Sequence, residues 1–254
     1  MVEPHFEMAS LNAVKQQLRL TMKHRLGAVS RESAIAQSAT VANTLRNFKP
    51  YQDAKRVSIF LSMPTGEIQT DGIVKHALEA GKEVFVPYLH RNPSPSPDLP
   101  QRVMDMVRLN NLRDYESLKP DRWGIPSVDP GTVHERQRIF GGPDAHHSDQ
   151  VLLDLILVPG VAFDIDSESG AIRRLGHGKG FYDYFINRHN AKAVSLGKQE
   201  SSPVLLYGLA LHEQFLTSPS EGAVPVGPLD QPLDGLLLGN GDIIIPSSHQ
   251  NETE

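Results

Sequence analysis

An apolar run from Leu152 to Val158, interrupted only by Asp154, constrains the fold of this chain more than any other stretch. The run is too short to cross a membrane as a helix. Its nearly continuous apolar character predicts a strand that is buried on both faces. Pro159-Gly160 ends the predicted strand, because this pair is typical of a turn. The segment that follows should therefore lie at the end of a buried strand.

A glycine-rich, basic segment comes after this strand and a short polar turn, and it reads Arg173-Arg174-Leu175-Gly176-His177-Gly178-Lys179-Gly180. Glycines at alternate positions let the backbone turn sharply and approach a ligand closely, since no Cβ is present. Exposed N–H groups beside a helix that begins at about Phe181 would bind an anion. Asp183 follows within one helical turn and would hold Mg²⁺ on a phosphate.

This pattern predicts a phosphate-binding loop with Arg173, Arg174 and Lys179 as its cations. A glycine-rich turn packed against a sheet remains an open alternative at this point. The spacing matches neither the Walker A loop nor the dinucleotide-binding fingerprint, so a familiar phosphate loop is disfavoured.

The two motifs VPGVAFD and RRLGHGKGFYD resemble those of the 5-formyltetrahydrofolate cyclo-ligase family, also called methenyltetrahydrofolate synthetases. The family pattern is close to PGLAFD, a short turn, and then RLGRGKGYYD. The chain departs from it at two positions. His177 stands where the family usually has arginine, and Phe181 stands where it usually has tyrosine.

Composition limits the class of protein. An apolar content of 39% and a charged content of 22% are those of a soluble globular protein. The net charge of −5 argues against a general nucleic-acid binder, and the absence of cysteine removes disulfides, thiolate metal sites and cysteine nucleophiles. No secretory signal or membrane-length segment is visible, so we expect a cytoplasmic protein, with a mitochondrial pool left open.

The predicted fold class is α/β, a three-layer Rossmann-like sandwich with a mostly parallel central sheet. A strand at 56–62, a helix at 70–81 and a strand at 84–87 form a right-handed crossover unit, which implies parallel pairing. Ligands of open α/β sheets bind beyond the carboxyl ends of the strands. The 61–67 segment should therefore share one edge with the glycine-rich loop.

We expect one domain over 11–238, between a flexible N-terminus at 1–10 and a flexible tail at 239–254, with insertion loops at about 91–101 and 129–150. The other predicted elements are helices at 11–29 and 31–46, the second capped by Ser30, a half-exposed strand at 102–109, and strands at 205–211 and 235–238. The 129–150 segment contains His134, His146 and His147. Its lack of metal-binding spacing favours a solvent-exposed loop.

Further blocks also resemble the family. Lys15-Gln16-Gln17-Leu18-Arg19 stands where the family has a K-x-x-L-R element that reaches ATP, although its spacing alone indicates a solvated helix face. Glu67, preceded by a family-like Phe60-Leu61-Ser62-Met63, stands where a glutamate contacts the folate. Alone, it would be an ordinary carboxylate near a helix N-terminus. Trp123 is either a packing aromatic or a platform for a flat ring such as a pterin.

What the family implies is an ATP- and Mg²⁺-dependent conversion of 5-formyltetrahydrofolate to 5,10-methenyltetrahydrofolate. The implied partner is a small folate substrate, including polyglutamylated forms. We expect a monomer with no nucleic-acid or membrane partner. The ATP-binding residues implied are Lys15, Arg19, Arg174, Leu175, Gly176, His177, Gly178, Lys179, Gly180, Phe181 and Tyr182. The substrate-binding residues implied are Leu61, Met63, Glu67, Trp123, His177, Gly178, Lys179, Gly180 and Phe181.

Arg174, His177 and Lys179 are the catalytic candidates, and the resemblance places Mg²⁺ on Asp183 and Asp230, with Asp234 as the alternative to Asp230. Since histidine is shorter than arginine and only partly charged near neutral pH, His177 predicts weaker or more pH-dependent use of ATP. Phe181 should matter less. A folate- or nucleotide-binding carrier or regulator that has lost catalysis is the alternative function.

Overall fold

The computed structural model describes residues 4–93, 100–141, 150–198, 203–217 and 222–246, with side chains described from residue 10 onward. The first half contains α1 (Pro4–Gly27), α2 (Arg31–Arg46), α3 (Lys49–Asp53), β1 (Arg56–Ile59), α4 (Asp71–Glu79), β2 (Glu83–Arg91), β3 (Arg102–Arg108), α5 (Leu112–Glu116), β4 (Lys119–Pro120) and β5 (Pro126–Ser127). A 3₁₀ turn (Pro130–Glu135) leads to β6 (Leu155–Val158), β7 (Ala162–Ile165), β8 (Ile172–Leu175), α6 (Phe181–Ser195), β9 (Leu205–Ala210), a second 3₁₀ turn (His212–Gln214), β10 (Gly235–Leu238) and β11 (Ile243–Ile244).

A seven-stranded sheet in the order β11-β10-β9-β6-β1-β2-β3 forms the centre of the molecule. Its inner pairings, from β2 through β1, β6 and β9 to β10, are all parallel. The two edge strands, β3 and β11, pair antiparallel. The prediction of an α/β fold with a mostly parallel sheet is therefore confirmed.

The central strand β6 is buried along its whole length, as its apolar sequence predicts. Asp154, the one polar residue of that run, lies just before the strand, where its Oδ2 accepts hydrogen bonds from the backbone N–H groups of Lys55 and Arg56. This carboxylate therefore joins the starts of β6 and β1 without entering the core. Helices α2 and α4 cover one face of the sheet, and α6 packs with the β7–β8 hairpin on the other.

Two secondary-structure elements extend into the segments that the sequence assigns to the chain ends. Helix α1 begins at Pro4 rather than at Leu11, because proline is tolerated in the first turn of a helix and the residues between are compatible with it. Ile243–Ile244 pairs with β10, although the tail reads as polar. Residues 247–254 lie outside the described residues.

A strand forms at Arg102–Arg108, as the sequence predicts, but the prediction that it is half-exposed is wrong. Strand β3 is buried on both faces along most of its length, and its Asp105 is 0% exposed. The alternation misleads because Asp105 is a buried ion-pair member. Its Oδ2 accepts from Arg138 at 3.0 Å and its Oδ1 from the Phe140 N–H at 3.1 Å.

The prediction that the 129–150 segment is a solvent-exposed loop is wrong for its first part. Val133 and Ile139 are buried in the core, and Arg136 forms a two-point ion pair with Asp114. His146 and His147, like the proline-rich residues 94–99, lie outside the described residues. In the described ranges, no helix has the length and apolar character needed to span a membrane.

Candidate active site

The carboxyl ends of β1 and β6 meet at one edge of the sheet, where the predicted site lies. The segment after β1 contains Leu61, Met63 and Glu67, and Pro159-Gly160 follows β6. The glycine-rich loop joins β8 to α6 and reaches the same edge, since His177 lies beside Glu67. The structure therefore brings together two motifs that are more than a hundred residues apart in the sequence.

The glycine-rich loop is an exposed turn that ends at the N-terminus of α6. Gly178 and Gly180 have φ values of +93° and +64°, which favour glycine. Arg19 of α1 packs against the loop: its Nε donates to the Gly176 carbonyl at 2.8 Å, and its guanidinium carbon would lie 3.2 Å from a Cβ at Gly178. Helix α6 begins at Phe181, directly after this loop, and has no side-chain cap; the N-terminus of a helix is favourable for an anion.

Arg174 and Arg173 point in opposite directions, because neighbouring residues of a strand alternate sides. Arg174 is buried, and it donates to Asp183 Oδ1 at 2.7 Å and to the Pro159 carbonyl at 3.2 Å. Its Nε is buried without a partner among the described residues. Arg173 instead pairs with Asp164 and Asp166 across the β7–β8 hairpin. The prediction that both arginines charge the loop is therefore wrong for Arg173.

Two further residues join this side of the site. Lys15 of α1 forms an ion pair with Asp230, which also accepts a 2.5 Å hydrogen bond from the Gly227 N–H. The neighbouring Gln231 N–H donates to Asp183 Oδ1 at 3.2 Å. This last contact, which nothing in the sequence signals, places Asp230 and Asp183 on adjacent segments.

Asp234, the alternative to Asp230, lies elsewhere. Its Oδ2 accepts from the Leu206 N–H at 2.7 Å, at the amino ends of β9 and β10. That edge is opposite the one that carries the glycine-rich loop. The geometry thus favours Asp230 as the acidic residue of the site. Within the described ranges, no group of three histidine, aspartate or glutamate side chains is arranged for a metal ion.

Glu67 forms the buried end of the site and is only 4% exposed. Its Oε1 accepts from the Met63 N–H at 2.6 Å. Burial raises the pKa of Glu67 to about 7, despite that hydrogen bond. The Tyr182 hydroxyl is buried without a partner among the described residues, and burial and the Glu67 charge raise its pKa.

His177 lies between the two ends of the site. Its Nε2 is 3.9 Å from Glu67 Oε2, and the side chain is 49% exposed. Burial and the charges of Arg174 and Arg19 lower the pKa of His177. Since the Glu67 pKa is raised and the His177 pKa is lowered, this contact is not a full ion pair near pH 7.

The remaining candidates range from the core to the surface. Lys179 is exposed and makes no ion pair with the residues that the structure describes. Leu61 is buried in the core, whereas Met63 and Phe181 are half-buried. Trp123 is 55% exposed, and the guanidinium of Arg122 lies 3.8 Å from its ring centroid. The sequence argument missed Arg122, whose only signal is its position beside the tryptophan.

The site thus joins a basic, glycine-rich loop to a buried carboxylate at the carboxyl edge of a mostly parallel α/β sheet. The sequence profile of the 5-formyltetrahydrofolate cyclo-ligase family matches residues 11–239, and the chain belongs to that family. A probable 5-formyltetrahydrofolate cyclo-ligase of Caenorhabditis elegans is 36% identical over 242 residues, covering 94% of this chain and 98% of that protein.

A second sequence relative and a solved structure are also similar to this chain. The 5-formyltetrahydrofolate cyclo-ligase of Mus musculus is 32% identical, with 90% of this chain and 95% of that protein covered. Among solved structures, the 5,10-methenyltetrahydrofolate synthetase of Aquifex aeolicus has a TM-score of 0.59 at 22% identity, covering 95% of this chain and all of the other. That structural likeness supports the fold, and the sequence relatives support the family.

Proposed function

We propose that this chain converts 5-formyltetrahydrofolate to 5,10-methenyltetrahydrofolate with ATP, releasing ADP and phosphate. The observation that carries the proposal is the 3.9 Å approach of His177, in the glycine-rich loop, to the buried Glu67. An anion-binding loop that touches a carboxylate pocket can hold a phosphate donor next to a second, hydrogen-bonding ligand. Membership of the cyclo-ligase family supplies the reaction that uses both.

The chemistry needs a phosphoryl group because a formamide carbon is a weak electrophile. Its nitrogen lone pair is delocalised onto the oxygen. Transfer of the γ-phosphoryl group to the formyl oxygen releases ADP and converts that oxygen into a leaving group. The N10 atom of the folate then attacks the carbon, N10 loses its proton, and phosphate departs. No protein nucleophile is required, which agrees with a chain without cysteine.

The protein's part in this reaction is to align the two ligands and to stabilise charge. We assign Lys179 to the transferred phosphoryl group, because it is exposed within the glycine-rich loop and has no ion-pair partner among the described residues. Arg174 offers a buried Nε without a partner, and Lys15 and Arg19 line the α1 side. Glu67 would fix the pterin by accepting hydrogen bonds.

Mg²⁺ is part of the proposal, and the donors fit it in one respect. Mg²⁺ is commonly held by one or two carboxylates together with substrate phosphates, which suits Asp183 and Asp230 on adjacent segments. Each carboxylate pairs with a cation, Arg174 or Lys15. A magnesium–phosphate group would exchange those partners, since the cations can pair with phosphate. When bound, Mg²⁺ would neutralise charge on the phosphates.

The proposal extends to a monomeric, cytoplasmic protein that takes folates with one or more glutamates. A net charge of −5 supports a small-molecule partner over nucleic acid. A relative of Arabidopsis thaliana that is 25% identical is described as mitochondrial, so the compartment requires direct localisation. Size-exclusion chromatography with light scattering would determine the oligomeric state.

The decisive experiment mixes purified protein with 5-formyltetrahydrofolate, ATP and Mg²⁺ and follows the near-ultraviolet absorbance of methenyltetrahydrofolate. We expect a rise that requires all three components. Glu67→Ala should abolish the rise by weakening folate binding, and Asp183→Ala by weakening the use of ATP and Mg²⁺. Folate binding without product would contradict the proposal and favour a carrier.

A further inference from the structure

His177 lies between two glycines, and a guanidinium group packs against each of them. A Cβ at Gly176 would lie 3.0 Å from Arg174 Nη1, and a Cβ at Gly178 would lie 3.2 Å from the guanidinium carbon of Arg19. The Arg19 side chain is also held in place, because its Nε donates to the Gly176 carbonyl at 2.8 Å. Both guanidinium groups stay charged at neutral pH. Together with burial, they lower the pKa of His177 and leave its ring neutral in the absence of folate.

Glu67 is the one carboxylate within ion-pair distance of His177 among the described residues, with 3.9 Å between Oε2 and Nε2. It is 4% exposed, and its other oxygen accepts a hydrogen bond from the Met63 N–H. Burial raises the pKa of Glu67 to about 7. The nearby Tyr182 stays neutral, because burial and the Glu67 charge raise the pKa of its hydroxyl. Below about pH 7 and without folate, Glu67 therefore carries the proton that the two side chains could share.

We propose that folate binding moves this proton from Glu67 to His177, so that the folate prepares the glycine-rich loop for ATP. The inference rests on the proposed function. Pterin N–H groups that donate to Glu67 favour its ionised form. The O–H bond at Glu67 then breaks and an N–H bond forms at His177 Nε2, which leaves the net charge of the pair unchanged. The transfer places a cation in the loop and an anion in the pocket.

Each product of the transfer stabilises the other. An ionised carboxylate close to an imidazole favours the imidazolium, which offsets the repulsion from Arg174 and Arg19. The imidazolium in turn attracts the phosphates of ATP, and bound phosphate favours the same protonated ring. Folate therefore tightens the binding of ATP, and thermodynamic linkage requires that ATP tighten the binding of folate by the same factor.

This coupling depends on histidine at position 177. An arginine, which the family pattern usually has there, keeps its charge whether or not the neighbouring carboxylate is ionised. His177 instead supplies a cation that forms when the folate is present. The chain should consequently bind ATP weakly on its own and more tightly once the folate has reached Glu67.

The test measures by calorimetry the Kd of the β,γ-imido analogue of ATP with Mg²⁺, with and without saturating 5-formyltetrahydrofolate. We expect the folate to lower this Kd about fivefold. The effect should be largest just below about pH 7, where Glu67 still carries its proton without folate. It should fade at lower pH, where His177 is already charged, and at higher pH, where the proton has left the pair. An absence of coupling, or one factor at every pH, would overturn the inference.

Two variants of His177 separate the coupling from a structural role. His177→Arg should bind the ATP analogue more tightly without folate and gain nothing when folate is added. His177→Gln should bind it weakly in both cases. Below about pH 7, folate binding to His177→Gln should release more protons to the buffer than binding to wild type, because no imidazole takes up the Glu67 proton. Calorimetry in two buffers of different ionisation enthalpy counts these protons, and equal counts would contradict the transfer.

His134→Arg is the matched control. His134 is an exposed histidine whose Nε2 lies 3.6 Å from Glu135 Oε1, outside the glycine-rich loop and the 61–67 segment. This variant should keep both the coupling and the proton count of wild type. If wild type cyclises the folate but binds the two ligands independently, or if His177→Arg keeps the coupling, the inference is overturned while the proposed function stands. If wild type does not cyclise the folate, the proposed function fails and the inference fails with it.

Discussion

The two sides of the site treat charge in opposite ways. On the side proposed to bind phosphate (the phosphate side), each carboxylate has a cation: Arg174 binds Asp183 at 2.7 Å, and Lys15 binds Asp230. On the side proposed to bind the pterin (the pterin side), Glu67 is more deeply buried but is held by one backbone N–H, and burial raises its pKa to about 7. The charges of the phosphate side already neutralise each other in ion pairs. The charge of Glu67 on the pterin side instead depends on what binds to it.

This difference suits the two ligands. A magnesium–phosphate group brings both signs of charge, so it can exchange partners with existing ion pairs without leaving a buried charge alone. A pterin brings neutral N–H donors, and hydrogen bonds from them favour the ionised form of Glu67. Folate binding should therefore lower the Glu67 pKa and release protons when it occurs below about pH 7.

The largest effect should come from removing the buried cation of the phosphate side. Arg174→Met leaves Asp183 without its guanidinium, and breaking a buried pair in this way costs about 3 kcal/mol of unfolding free energy. Because the same guanidinium lies beside Gly176 of the glycine-rich loop, which we propose to bind phosphate, we also expect kcat/KM for ATP to fall by about a thousandfold or more. Denaturant unfolding and initial rates measure the two effects.

A double variant separates the effect on stability from the effect on catalysis. Arg174→Met combined with Asp183→Leu removes both charges, and it should recover most of the lost stability while remaining inactive. Full activity in either variant would show that this ion pair is only structural, and the contrast between the two sides would then lose its functional meaning.

Glu67→Gln should have the next largest effect, and it tests the pterin side. A folded-state pKa raised from 4.5 to about 7 means that the folded protein binds this proton more tightly than the unfolded chain. The stabilisation is full below about pH 4.5 and is lost as pH rises through 7, amounting to on the order of 3 kcal/mol. Glu67→Gln should remove this loss and be more stable than wild type at pH 8, while the folate KM rises by about tenfold or more.

His189 provides an internal check on the sign. Burial and the Lys192 charge lower the pKa of His189 from 6.5 to about 4, and its Nε2 accepts from the Leu153 N–H. Its stabilisation is therefore lost as pH falls from about 6.5 to 4, opposite to the Glu67 effect. In wild type the two trends oppose each other. Glu67→Gln should expose the loss of stability on acidification that comes from His189, and a flat profile in that variant would contradict the His189 assignment.

A smaller effect is expected at the residue that joins the two sides. The lowered pKa of His177 leaves it mostly neutral near pH 7, so bound phosphate should be favoured only as pH falls and the ring gains a proton. The KM for ATP should accordingly rise with pH in wild type. His177→Arg should lower that KM about threefold and flatten its pH profile, since a guanidinium stays charged. An unaltered profile would remove His177 from the phosphate side.

The sequence predicts the local structure of the glycine-rich loop better than the surroundings of Glu67, and the reason is physical. Glycines with positive φ and a helix start leave a local pattern, so the loop at 176–180 and the start of α6 are visible in the chain. The buried strand β6 is equally local. The local sequence does not show which arginine lies near the loop, because neighbouring strand residues point to opposite sides. Arg174 binds Asp183 beside the loop, whereas Arg173 binds Asp164.

The other misses share this cause. Asp105 reads as a solvent-facing residue of β3 because its partner, Arg138, comes from a segment that appears irregular in sequence. Glu67 reads as an ordinary carboxylate near a helix, since its burial arises from the strands and loops around it. Periodicity reports the pattern along one element. It does not report which distant charge or apolar group completes that element's surroundings.

Phe181→Tyr should have the smallest effect, and it tests whether the first residue of α6 belongs to the phosphate side or to the pterin side. Phe181 is half-buried at the first position of α6 and packs against the core cluster below the loop. Restoring the family's usual tyrosine keeps the ring and adds one hydroxyl, so we expect kcat and both KM values to stay within about twofold and stability within about 0.5 kcal/mol. Steady-state kinetics with each substrate varied in turn would check this. A selective fall in the KM for ATP would assign the hydroxyl to the phosphate side, whereas a selective fall in the folate KM would assign it to the side of Glu67.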